Sequence, residues 1–267
     1  MLDLLLLNTR VHLKFFARNR LILALAAVVF AYFGLSFVPF LFMATSIGRF
    51  ELLRSIVTQL SSLTLLVTSS LGLFAVTSHL RGRSLKLVAT RPCPLEIWLA
   101  SVFLAGSLVT AGLHLLLAAI TAILSLAWGV PYQSGFTFVA IDAFLRAMIW
   151  FSYLTALGVA FHPVVAVLLA LVLNEGTLYG LKFMIATAVK TTGPGWMLTA
   201  AGSLVDTVYM ALPMFEPLSD KTGDVYSSLR TVGADWPVLI QIGGYAALVV
   251  AFFYCLSDLL IRRKSLA

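Results

Sequence analysis

Six long apolar stretches set the strongest limit on how this chain can fold. They occupy residues 21–44, 56–77, 97–128, 138–161, 164–189 and 237–261. Each is long enough to cross the hydrocarbon core of a bilayer as a helix, which takes about 20 apolar residues. With 61% hydrophobic and 11% charged residues, the 267-residue chain lacks the polar surface that a soluble domain needs. The sequence therefore predicts an all-α, polytopic membrane protein with a six-helix transmembrane domain at 21–267.

The segment before the first apolar stretch is also predicted to contact the membrane. Residues 1–20 mix leucines and aromatic residues with Arg10, His12, Lys14, Arg18 and Arg20. Such a mixture is typical of an amphipathic helix that lies in the membrane interface with its basic side toward the headgroups. The alternative interpretation is an ordinary basic flank of the first span.

A second unusual segment, residues 190–236, precedes the last span. Gly193, Pro194 and Gly195 interrupt the chain, an apolar run follows at 196–212, and the remainder is polar. We interpret this outer segment as a re-entrant or interfacial helix followed by an ordered loop.

The basic residues predict the orientation of the chain. Short cytoplasmic loops accumulate Lys and Arg, and six spans place 11 of the 18 basic residues on one side of the membrane. These are Arg10, Lys14, Arg18, Arg20, Arg81, Arg83, Lys86, Arg91, Arg262, Arg263 and Lys264. We therefore expect a multi-pass protein of the plasma (inner) membrane with both termini in the cytoplasm. The basic clusters adjoin apolar segments, which favours lipid headgroups and argues against nucleic acid as a partner.

Four charged residues inside the predicted spans call for an explanation, because charge is costly in hydrocarbon. They are Asp142, Arg146, Glu175 and Lys182, and Asn174 adjoins Glu175. Asp142 and Arg146 can pair on one helix face. Depth counted from the turn near residue 162 favours two cross-helix pairs, Asp142 with Lys182 and Arg146 with Glu175. In the alternative interpretation, Glu175 faces a substrate path or carries a proton.

Catalytic motifs are missing from the sequence. There is no Gly-x-x-x-x-Gly-Lys-Ser/Thr loop for ATP and no His-Glu-x-x-His pair for zinc, and the histidines are scattered over different segments. His162, directly before Pro163, is predicted only to shape a turn. We therefore predict no catalytic residues, no metal site and no cofactor bound by this chain.

The basic loop at 79–96 carries a resemblance to a known family. Residues 81–96 read RGRSLKLVATRPCPLE, which looks like the Gly-Thr-Leu, leucine-pair and Pro-Val-Ser run before the third span in permease subunits of type-2 ABC exporters. The order of segments along the chain is also similar to that family, as are residues 211–215 (ALPMF) and 262–264 (RRK). The chain departs from it at residues 79–80, where an acidic residue is usual, and at 100–101, where Gly-Lys is frequent.

The resemblance implies that the loop is a coupling helix that docks into a separate ATPase subunit. That subunit would bind ATP and Mg²⁺, and a second permease chain would complete the transporter. The predicted docking residues are Arg81, Gly82, Arg83, Leu85, Leu87, Arg91 and Pro92. Apolar side chains among basic ones suit contact with a soluble partner, and a plain basic cytoplasmic loop is the alternative.

The sequence thus predicts a permease that exports an unidentified substrate with ATP hydrolysed by another subunit. Two other classes stay open: a scaffold or assembly factor of a membrane complex, and a membrane-embedded enzyme. A transporter requires an ATPase partner, whereas the other two classes do not.

Overall fold

The structure, a computed structural model, describes residues 1–20, 48–80, 94–130, 134–193, 195–213 and 236–266, with single residues at 24, 27, 31 and 34. Within these ranges the chain is helical and contains no strand. The helices are α1 (Leu2–Arg18), α2 (Arg49–Leu80), α3 (Leu95–Ala127), α4 (Ser134–Ala160), α5 (Pro163–Val172), α6 (Glu175–Thr192), α7 (Trp196–Ala211) and α8 (Trp236–Leu266). The predicted all-α class is confirmed.

Four of these helices, α2, α3, α4 and α8, are long and apolar enough to cross a membrane. The bent pair α5 and α6 counts as a fifth span if its two helices are taken together. The predicted first span at 21–44 lies outside the described residues, apart from four isolated positions, so six spans remain a prediction. The described part of the chain thus contains four helices, or five spans with the bent pair, that have the length and composition of membrane spans.

The spanning helices define two ends of the bundle. At the end that we call the α1 end, one apolar cluster joins Phe16 of α1, Trp98 of α3 and Ile261 of α8. At the opposite, distal end, Arg49 at the start of α2 donates a hydrogen bond to the Trp128 carbonyl, 3.1 Å away, just after α3. α2, α4 and α8 therefore run toward the α1 end, and α3 runs the other way.

The start of α2 differs from the prediction. The polar residues Arg49, Glu51 and Arg54 precede the predicted span 56–77, but they make up the first turns of the helix. Arg54 and Glu51 form an exposed i,i+3 ion pair at 3.4 Å. Arg49 caps the end of α3 at Trp128. Their charges are satisfied at the helix end, so the helix extends beyond its apolar run.

Close packing at Phe151 joins the three central helices. Phe151 of α4 is fully buried and contacts Phe103 edge to face, with ring centroids 5.5 Å apart. Two glycines make room for it. A Cβ at Gly72 of α2 would lie 2.5 Å from the Phe151 carbonyl oxygen, and a Cβ at Gly106 of α3 would lie 2.3 Å from the ring. Small residues at these positions allow helices to approach closely, as is usual in membranes.

The predicted fifth span, 164–189, is not one straight helix. His162 caps the start of α5, because its Nδ1 accepts from the Val164 amide at 3.2 Å and Pro163 occupies the first turn. The prediction that His162 shapes this turn is confirmed. After ten residues α5 ends, and α6 leaves at an angle of 46°. α6 begins directly after this interruption, and the side chain of Asn174 caps its first turn.

The apolar part of the outer segment forms a helix that packs on α6. α7 begins after the break at Gly193, which has a positive φ of 85° that only glycine adopts easily. Gly202 of α7 approaches Ile185 of α6, so the two helices form a hairpin. A helix at Trp196–Ala211 agrees with the predicted segment 196–212, and its re-entrant or interfacial position stays a prediction. The loop at 214–235 lies outside the described residues.

Candidate functional site

The predicted coupling loop lies almost wholly outside the described residues. Arg81, Gly82, Arg83, Leu85, Leu87, Arg91 and Pro92 all fall in the undescribed range 81–93. The structure does describe both flanks, since α2 ends at Leu80 and Pro94 precedes α3. The Pro94 carbonyl accepts from the amides of Ile97 and Trp98, at 3.0 and 3.1 Å, so the first turn of α3 is formed directly after the loop.

The last turns of α8 hold this first turn of α3. Arg262 donates to the Glu96 carboxylate, and its Nε donates to Asp258 at 2.8 Å. One turn earlier, the Tyr254 hydroxyl donates to the Glu96 backbone carbonyl at 3.3 Å, and its ring meets Phe103 at 5.2 Å. Glu96 is therefore a residue of this turn that α8 binds through both its side chain and its backbone carbonyl.

α1 holds the other side of the same turn. The rings of His12 and Trp98 meet edge to face, with centroids 5.8 Å apart. Phe16, 3% exposed, packs in one cluster with Trp98, Leu99 and Val102. The two flanks of the loop thus meet α1 and α8 at one end of the bundle.

Asp142 and Arg146 pair on one face of α4, as their four-residue spacing allows. Arg146 Nε lies 2.9 Å from Asp142 Oδ2 on α4. The Asp142 side chain is fully buried, and Arg146 is 19% exposed. Partial neutralisation inside the bundle lowers the cost of burying both groups, so the pair has a structural role within α4.

The predicted cross-helix pairs are not the contacts that the structure shows. Lys182 was expected to pair with Asp142, but its Nζ lies 2.8 Å from Asp206 Oδ1 on α7. Arg146 pairs with Asp142, and Glu175 meets the Tyr209 hydroxyl at 3.5 Å. The depth count assumed a straight fifth span, and the bend after α5 carries Lys182 toward α7 instead of α4.

These contacts form a polar cluster between α6 and α7, consisting of Glu175, Lys182, Asp206 and Tyr209. The Lys182 ammonium also lies over the Tyr209 ring, 4.7 Å from its centroid, which is a cation–π contact. The Lys182 and Asp206 side chains are 40% and 52% exposed in the single chain. An ion pair in an apolar helix is expected to lie against protein or a water-filled path, because charge in contact with lipid is costly.

An open groove adjoins the polar cluster along the hairpin, with a volume of about 540 Å³. Ile185 and Leu198 line its apolar side, and Thr199, Ser203 and Asp206 line its polar side. The groove therefore combines apolar surface with one carboxylate and hydroxyl groups.

Asn174 has a structural role at the bend. Its Oδ1 accepts from the Thr177 amide at 2.8 Å, and its Nδ2 donates to the Leu171 carbonyl at 2.5 Å. It thus satisfies one backbone group at the end of α5 and one at the start of α6. Glu175 follows in the first turn of α6, where a carboxylate is favoured by the helix dipole.

Asp206 and Tyr209 were not identified as candidate site residues from the sequence. Asp206 lies inside an apolar helix, and such a position was itself a signal. His114, in contrast, behaves as a bonded core histidine: its Nδ1 lies 2.8 Å from the Thr110 carbonyl, and its ring meets Phe144.

Comparison with models of protein families and with curated proteins found no match for this chain. The geometry of the two sites, the α1 end and the α6–α7 hairpin, is therefore the basis for assigning a function.

Proposed function

We propose that this chain is the membrane-spanning permease subunit of an ABC exporter, driven by ATP hydrolysis in a separate subunit. The proposal combines the resemblance of residues 81–96 with the arrangement at the α1 end. ATP and Mg²⁺ would bind to the partner, and this chain would supply the coupling loop and half of the transport path. The protein would lie in the plasma (inner) membrane.

The observation that carries the proposal is the convergence on the first turn of α3. The residues that follow the loop are held by α8 through Glu96 and by α1 through Trp98. A soluble partner that pulls on residues 81–93 would therefore move two further helices together with α3. A plain basic loop, which only sets the orientation of the chain in the membrane, would not need such connections.

The topology of the described helices is compatible with six spans. α1 and the start of α2 at Arg49 lie at opposite ends of the bundle, so a crossing at 21–44 would join them. Counting α5 and α6 as one broken span then gives the predicted number. With the basic α1 end in the cytoplasm, both termini would be cytoplasmic.

The α6–α7 hairpin is the proposed wall of the transport path. Its polar cluster and groove offer charged and hydroxyl groups beside apolar surface, which a single chain leaves partly exposed. A second permease chain facing this hairpin would enclose the path, and rocking of the two chains would open it outward.

Affinity purification tests the partnership. The tagged chain is purified in mild detergent, the accompanying proteins are identified by mass spectrometry, and the eluate is assayed for ATP hydrolysis. We expect an ATPase with a P-loop to copurify with the native chain. It should be lost from Leu87→Asp, because a charge replaces one of the apolar side chains predicted to dock into the ATPase.

Thr90→Asp is the matched control, since it adds the same charge to the same loop without removing an apolar side chain. It should retain the ATPase. A purified chain without any ATPase, or an ATPase that is indifferent to Leu87→Asp, would contradict the proposal and favour a scaffold or an embedded enzyme.

A further inference from the structure

α1 presents two faces with different tasks. Thr9, His12 and Phe16 are buried and face the bundle, where His12 and Phe16 contact the start of α3. Their spacing of three and four residues places them on one side of the helix. This face accounts for the attachment of α1 to the bundle.

The opposite face carries a row of basic side chains at four-residue spacing. Arg10, Lys14 and Arg18 are all exposed. Lys14 follows His12 by two residues and precedes Phe16 by two. It is therefore rotated by about 200° from each of them and lies on the opposite side of the helix. The row therefore points away from the bundle, and it contributes nothing to the contact with α3.

Exposed apolar side chains flank the basic row. Leu2, Leu6, Leu7 and Val11 are each more than half exposed, although they belong to a helix that is already packed on the bundle. A surface that combines cations with exposed leucines fits the boundary between headgroups and acyl chains. It is unsuited to nucleic acid, which would leave these leucines in water.

The charges near the row do not cancel it. Asp3 is the one acidic residue of α1, in its first turn. At the same end of the bundle, Glu96 and Asp258 both bind Arg262, and Arg263 adds a further exposed cation. The face of α1 that points outward is therefore net positive.

We propose that α1 binds the bilayer surface through anionic lipid headgroups, with Arg10, Lys14 and Arg18 contacting the phosphates. The inference does not depend on the proposed transport function. Because the buried face of the same helix holds Trp98, anionic lipid steadies the first turn of α3 as well as α1. Each basic residue near an anionic surface strengthens the binding by about fivefold.

Hydrogen exchange on the full chain tests this proposal. The protein is reconstituted in nanodiscs of phosphatidylcholine alone or with phosphatidylglycerol added, and amide exchange is followed over residues 2–18. We expect exchange in α1 to slow by at least about tenfold with the anionic lipid, and the effect to shrink in high salt because the interaction is electrostatic.

Three variants locate the effect. Replacing all three row residues (R10Q, K14Q, R18Q) should abolish the difference between the lipids, whereas exchanging charge for like charge (R10K, K14R, R18K) should retain it. The matched control (R49Q, R54Q, K190Q) removes as many cations away from α1 and should also retain it.

Equal exchange of native α1 in both lipids would overturn the proposal without any variant being needed. A lipid difference that persists in the glutamine variant would overturn it too. The assay requires no ATPase, so its failure is distinguishable from failure of the proposed function.

Discussion

Replacing Gly106 by alanine should destabilise the bundle, although alanine is the better helix former. The added Cβ would lie 2.3 and 2.5 Å from two carbons of the Phe151 ring, which is far inside van der Waals contact. Overpacking of this kind costs about 3 kcal/mol at the upper end of its usual range. Alanine recovers about 1 kcal/mol of helix propensity, so we expect the free energy of unfolding to fall by about 2 kcal/mol.

Gly112 on the same helix is the matched control, because a Cβ there has no atom within 4 Å. Gly112→Ala should therefore raise the stability by about 1 kcal/mol. The assay is reversible unfolding in mixed detergent micelles with SDS, followed by tryptophan fluorescence. Equal stabilities of the Gly106→Ala and Gly112→Ala proteins would refute the packing argument.

A double mutant gives a sharper test, because the two glycines meet different parts of Phe151. Gly106 faces the ring, so Phe151→Leu should relieve Gly106→Ala, with a coupling energy of about 1–3 kcal/mol. A Cβ at Gly72 would lie 2.5 Å from the Phe151 carbonyl oxygen and 2.8 Å from the Thr155 hydroxyl, which Phe151→Leu does not remove, and 3.2 Å from a ring carbon. The coupling of Phe151→Leu with Gly72→Ala should be clearly smaller, and equal couplings would contradict the structure.

Three further predictions concern the bend, the polar cluster and the topology. Asn174→Ala removes the cap of α6 and should cost about 1 kcal/mol, with faster amide exchange over residues 175–178; unchanged exchange would contradict the capping role. Reversing the charge of either Lys182 or Asp206 should lower the yield of folded protein in size-exclusion chromatography. If this loss comes from the broken ion pair, reversing both charges should restore the yield. Single cysteines at Glu51 and Arg263 should react with an impermeant thiol reagent from opposite sides of the membrane, and labelling of both from one side would refute the assignment of the two ends.

The long straight spans could be predicted closely from hydropathy. The predicted runs 97–128 and 138–161 correspond to α3 and α4 within a few residues. A membrane helix satisfies its backbone internally, so an apolar run of sufficient length has few other structures open to it. The polar first turns of α2 were missed because their charges are satisfied by neighbours, such as the Trp128 carbonyl, that hydropathy does not reveal.

The bend and the polar cluster could not be predicted in the same way. An apolar run of 164–189 is compatible with one span, and only the capping pattern of Asn174 followed by Glu175 indicated a new helix. Without the bend, the depth of Lys182 matched that of Asp142, which made the wrong pair attractive. The partner Asp206 became visible only once α7 was seen to fold back onto α6.

The cluster that contains Phe16, Trp98 and Ile261 has a consequence for how the protein is made. Phe16 leaves the ribosome long before Ile261, which belongs to the same cluster. Until then, the cluster lacks the residues that α8 contributes and is open to insertion factors or proteases. Loss of α8 should therefore leave this cluster incomplete, so that a defect in α8 is detected by quality control at α1.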